Sequence, residues 1–172
     1  EHADRQELDG ASLTMRTITG ILLVVVLAVG AFFGYCWYGA QMQLVGAGTA
    51  VTPAADAGEA FSSLRWQLSE GSFCGEVLRQ VELGDASEYS FVTVNVRMKN
   101  IGLFPMEWIR IEVKPVAADI LQLAPEGDPP TLARMSLGEY AATFLTQGDG
   151  GARTYEISYY VLGRKFTKEF TV

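Results

Sequence analysis

Histidine and cysteine are almost missing from this 172-residue chain, and each shortage limits its chemistry. The one histidine is His2, near the N-terminus, so the bulk of the chain has no imidazole to activate a serine or cysteine nucleophile. The two cysteines, Cys36 and Cys74, fall on segments of different character. With one distant histidine they form no zinc-binding cluster, so neither a metal nor a cofactor is expected. Cys74 reads as a buried free thiol, with pairing to another chain left open. Basic residues are also few, 13 Lys and Arg against 20 Asp and Glu. From residue 61 onward the balance is 14 acids to 11 bases, with no basic stripe. That excludes nucleic acid as a partner and argues against docking on anionic lipid. Glu126 and Asp128 sit in a proline-rich loop and Asp149 in a glycine-rich one. A solvated loop is the plainer account of the first two than a glycosidase pair, and Asp149 lacks the spacing of a calcium loop. The chain is expected to be non-catalytic.

A third absence is larger. From Thr17 to Ala55, 39 residues pass without a charged side chain. The first part, Ile18 to Tyr38, is long enough as a helix to cross the roughly 30 Å hydrocarbon core of a bilayer. Tyr35, Trp37 and Tyr38 gather at its C-terminal end, where amphipathic rings favour the headgroups. Arg5 and Arg16 precede the run, and no Lys or Arg follows until Arg65. The positive-inside bias therefore places the N-terminus in the cytoplasm and the rest outside, as a single-pass protein of the cell membrane. A cleaved signal peptide is the alternative, with a small-residue site at Ala47-Gly48-Thr49-Ala50. Gly30 and Gly34 form a GxxxG, a candidate helix-dimer face that would make the chain a homo-oligomer.

The sequence then divides into a polar tail (1–16), a transmembrane helix (17–40) in contact with the lipid bilayer, a small-residue spacer (41–60) and one domain (61–172). The domain reads as all-β. Tyr89–Lys99 alternates, with Val92, Val94, Val96 and Met98 on one face. Trp108–Lys114 repeats the pattern with Ile109, Ile111 and Val113 inward. Tyr140–Thr146, Thr154–Val161 and Phe166–Val172 follow as strands, with Tyr155, Ile157, Tyr159 and Val161 on one face. Leu64–Leu68 and Glu76–Leu83 are further strands, whereas Ile120–Leu123 and Thr131–Arg134 read as helical turns or irregular edges. The expected architecture is an immunoglobulin-like antiparallel β-sandwich preceded by one N-terminal transmembrane helix.

The strand ending in Lys99-Asn100-Ile101-Gly102, with Pro105 soon after and Leu137-Gly138-Glu139 ahead of a later strand, resembles the telokin-like, immunoglobulin-like extracytoplasmic domains of prokaryotic membrane-anchored proteins. The resemblance covers residues 61–172 and implies a fold rather than a reaction, since those domains bring no catalytic residues. The inter-sheet disulfide of antibody domains is missing here. Phe104, Met106, Trp108 and the outward member of the Tyr159–Tyr160 pair, taken as Tyr160, form a candidate recognition patch. The expected function is that of a membrane-anchored, extracytoplasmic interaction or assembly module binding another envelope or surface protein. A pilin-like filament subunit, assembling through its apolar helix with a β-sandwich head, is the alternative.

Overall fold

The apolar run forms a helix. The computed structural model describes residues 2–38, 41–125, 127–148 and 151–172. Helix α1 spans His2–Tyr38, so the segment read as a polar tail is itself helical and continuous with the apolar run. Its apolar window, Thr17–Tyr35, is 19 residues long and fully exposed. That length and composition suit a membrane span, and a signal sequence has the same features. Gly30 and Gly34 lie one turn apart on α1, and a Cβ added at either would meet no atom within 4 Å.

Residues 41–172 form a second unit, an all-β sandwich of two antiparallel sheets. Its strands are β1 Met42–Pro53, β2 Gly75–Val77, β3 Tyr89–Asn100, β4 Glu107–Val113, β5 Asp119–Leu123, β6 Leu137–Gln147, β7 Thr154–Val161 and β8 Arg164–Thr171. One sheet has the order β1-β3-β6-β5-β2 and the other β4-β7-β8. The alternating residues meet between them: Val92, Val94, Val96 and Met98 of β3 with Phe144 of β6 oppose Ile109, Ile111 and Val113 of β4 and Tyr155, Ile157 and Val161 of β7, all buried. Two-residue periodicity puts each set on one face, and burial of that face drives the sheets together.

Four expectations are overturned. Residues 41–60 are not a spacer: β1 pairs with β3 from Met42↔Asn100 to Pro53↔Ser90, with a bulge between Leu44 and Gly46. Its small side chains are exposed on both faces, so no alternation marks it, and the strand follows the template of β3. Leu64–Leu68 is helical, within α2 Gly58–Ser69, because Phe61, Leu64 and Leu68 recur at helical spacing and pack on Tyr89, Phe91 and Leu145. Glu76–Leu83 contributes only β2, and Ile120–Leu123 is the strand β5 rather than an irregular edge. The α2 cluster forms a second apolar layer on the outer face of the larger sheet.

Candidate functional site

The Lys-Asn-x-Gly turn is a structural hub. Asn100 is fully buried. Its Oδ1 accepts from the Gly102 N–H at 2.9 Å, which sets the turn. Its Nδ2 donates to the carbonyls of Phe104 (2.8 Å), Ala133 (3.2 Å) and Leu132 (3.3 Å). One amide thus ties two loops to the end of β3.

That closure splits the candidate aromatic patch. Met106 is wholly buried, because its backbone bridges Leu132 in both directions, so it belongs to the core and not to a recognition surface. Phe104 is half-buried beside it. Trp108 is 61% exposed and Tyr160 36%. Trp108 lies in the bulge between Glu107 and Arg110 with φ 54°, a left-handed conformation unusual for a bulky side chain. Tyr159 turns inward and stacks on Phe166 at 5.7 Å, which leaves Tyr160 outward. Cys74, expected to be buried, is exposed between α2 and β2. Glu126 and Asp149 lie outside the described residues.

A concavity lies elsewhere, on the flank where β4 and β6 face each other across the two sheets. It is a groove of about 780 Å³. β6 makes one wall. Its pairing with β3 runs the whole length from Leu137 to Gln147, but β5 pairs with it only at Phe144, Leu145 and Thr146. From Leu137 to Thr143 the second edge of β6 therefore carries no strand among the described residues. Tyr140 and Ala142 stand opposite Val96 and Val94 and point toward the core, yet both are only half-buried. The small side chains of Ala141 and Ala142 leave the space open.

The opposite wall is β4, whose edge is already occupied. The buried Gln122 of β5 donates Nε2 to the Ile111 carbonyl (2.6 Å), and its Oε1 accepts from the Val113 N–H (3.0 Å). A side-chain amide here stands in for a neighbouring strand, and it bridges the two sheets. Further along, the Ile109 N–H donates to the Pro130 carbonyl (3.2 Å). The groove is lined by the carboxylates of Glu76, Glu112, Asp128 and Glu139 against one guanidinium, Arg110. Arg110 faces Glu112 at 3.5 Å, and Glu139 meets Arg97 at 3.4 Å. Glu76 and Asp128 have no cationic partner among the described residues.

At the closed end of β6 a buried ion pair clamps β5. Arg153 Nε reaches both carboxylate oxygens of Asp119, at 3.2 and 3.3 Å, and Arg153 Nη2 reaches Thr146 Oγ1 at 3.4 Å. Asp119 also accepts from the Val116 N–H at 2.9 Å. Burial pushes three phenols above their ordinary range: Tyr140 in the groove, and Tyr155 and Tyr159 in the core. For Tyr155 the nearby Arg153 partly opposes that rise. No motif marked Gln122, Asp119 or Arg153 in the sequence. The one available signal was polar residues inside or beside apolar strands, where a buried polar group needs a partner.

No family model and no curated protein matches this chain. Among solved structures, the GAE domain of yeast GGA1 is 16% identical with a TM-score of 0.36, over 56% of this chain and 96% of that one. The ycdA protein of Bacillus subtilis subsp. subtilis str. 168 is 15% identical with a TM-score of 0.30, and 33% of its length is covered by 56% of this chain. A Northeast Structural Genomics Consortium target, SoR45, is 16% identical with a TM-score of 0.32, over 75% of this chain and 87% of that one. At these values none of them bears on function.

Proposed function

We propose that this chain is a single-pass, membrane-anchored, non-catalytic interaction module that takes an extended segment of another envelope protein as an added strand on β6. The observation that carries the reading is the bare edge of Leu137–Thr143 in the wall of the groove. A strand with one unpaired edge offers a row of N–H and C=O groups, and an incoming peptide gains hydrogen bonds there without catalytic machinery. The half-buried Tyr140 and Ala142 supply a place for alternate side chains of the peptide. Four carboxylates against one guanidinium favour a segment bearing Lys or Arg. α1 anchors the unit with its N-terminus in the cytoplasm and the sandwich outside, in keeping with the resemblance of the Lys99–Gly102 turn to telokin-like extracytoplasmic domains. Gly30 and Gly34 provide the face for helix pairing.

The test is site-specific photo-cross-linking of the full chain in its native membrane. A benzoylphenylalanine at Ala141 should yield a discrete adduct that maps to an extended, basic segment of one protein. The same group at Glu82, which does not line the groove, should not. Ala142→Trp, which fills the groove, should abolish the adduct while leaving the thermal melt in place. An adduct that survives the filled groove would overturn the reading.

A further inference from the structure

The two ends of the sandwich differ in chemistry. At one end β3 finishes at Asn100, β7 finishes at Val161, and β1, β4, β6 and β8 begin. The pairings Met42↔Asn100, Lys99↔Leu137, Glu107↔Tyr160 and Val161↔Arg164 hold these termini together, and Lys168 Nζ donates to the Met42 carbonyl at 3.2 Å. Ile101, Leu103, Trp108, Met135, Leu137 and Leu162 all lie at this end and are between 39% and 61% exposed. Three of them, Trp108, Met135 and Leu162, occupy left-handed backbone at φ 54°, 56° and 50°, which bulky side chains rarely adopt. A folded domain seldom gathers so many apolar side chains on one bare surface without something to cover them. Lys99, Arg134 and Lys165 stand among them, and Glu107 is the nearby acid without a salt bridge among the described residues. The other end carries Asp56, Glu59, Glu82, Asp85 and Glu88 around the α2 cluster near Tyr89, with Arg65 and Arg79 as the bases and Trp66 and Val81 as exposed apolar side chains. The acid excess of the domain is thus greater around α2 than at the Asn100 end.

We propose that the Asn100 end rests on the surface of an anionic bilayer, with the apolar side chains at the headgroup boundary and Lys99, Arg134 and Lys165 over anionic lipid. Two observations select lipid as the occupant. The surface combines apolar and basic side chains, including Trp108 and Tyr160, which pairs with Glu107 at this end, and that is the composition that binds the interfacial region. It is also the end that the chain reaches first after the apolar run, since β1 starts at Met42 and α1 finishes at Tyr38. The inference rests on the reading of α1 as a membrane span. It separates the roles of the two surfaces, with lipid at the Asn100 end and a protein segment in the groove.

The test uses the full chain, with Cys36→Ser and Cys74→Ser, reconstituted in phosphatidylcholine vesicles with and without phosphatidylglycerol. A fluorophore is placed by Leu103→Cys or, at the acidic end, by Glu82→Cys, and lipids carry a headgroup nitroxide quencher. Quenching at position 103 and not at position 82, dependent on phosphatidylglycerol, is expected. Each of Lys99→Gln, Arg134→Gln and Lys165→Gln should lower the ratio of docked to undocked protein about fivefold. Equal quenching at positions 103 and 82, or quenching indifferent to phosphatidylglycerol and to the three charges, would overturn the proposal. An alkaline carbonate wash separates the premises. Protein retained in the vesicles but unquenched at 103 defeats the docking alone, whereas protein released by the wash defeats the anchor and the docking with it.

Discussion

The two halves of β6 belong to one strand and pair with one neighbour, yet they live in different surroundings. Phe144, Leu145 and Thr146 are buried between β3 and β5. Leu137 to Thr143 are exposed or half-buried and have β3 alone. The cause lies in β5, which is five residues long and turns away after Leu123, where a loop rich in proline takes over. The closed half holds the buried Phe144 and Leu145, whereas the open half includes the small Gly138, Ala141 and Ala142 beside Leu137 and Tyr140. A sheet can thus be held firmly at one end and left open at the other.

If that division is right, damage to the clamp on the closed half should dominate stability. Arg153→Leu strands the Asp119 carboxylate in the core and should cost about 3–5 kcal/mol in a denaturant melt. The double change Arg153→Leu with Asp119→Leu should recover most of the loss, because neither charge is then left alone. Next comes the bridge across the groove. Gln122→Leu leaves the Ile111 carbonyl and Val113 N–H without their partner and should cost about 2–4 kcal/mol. A smaller effect is expected at alkaline pH. Tyr140, Tyr155 and Tyr159 have folded pKa values raised by burial, so the folded state favours the neutral phenols. The stability they contribute is intact below the ordinary tyrosine value of about 10 and is lost as the pH rises through the higher folded values. Tyr140→Phe should flatten the alkaline slope of the melting curve without changing it at neutral pH. The smallest change lies outside the comparison, at the β7–β8 turn. Leu162 and Gly163 both have positive φ, at 50° and 77°, as a type I′ hairpin requires. Leu162→Asn should therefore stabilise by about 0.5–1 kcal/mol while weakening the proposed docking on lipid.

The strands with a buried face were readable because burial leaves a period of two. Thr154–Val161 was placed to the residue, and Val92, Val94, Val96 and Met98 were assigned to the core from alternation alone. β1 was hidden for the converse reason. Exposed on both faces and built of small residues, it carries no period, and its pairing comes from β3. α2 was written in Phe61, Leu64 and Leu68, but the segment between Leu64 and Leu68 is too short to tell a helix from a strand. Among the site residues, Trp108 and Tyr160 were found as exposed aromatics, whereas Met106 was misplaced because its burial depends on a pairing with Leu132, 26 positions away. The groove was invisible in the sequence. It exists because β5 stops early beside β6, and the ion pair that holds it joins residues 34 positions apart.

The most direct test follows amide hydrogen exchange along β6 in the full-length chain, first purified alone and then in its native membranes. The free chain should show slow exchange at Phe144–Thr146 and faster exchange at Tyr140–Thr143, and the membrane-resident chain should show Tyr140–Thr143 slowed to match the closed half. Exchange at Tyr140–Thr143 that stays fast in the native membrane would contradict strand addition on β6.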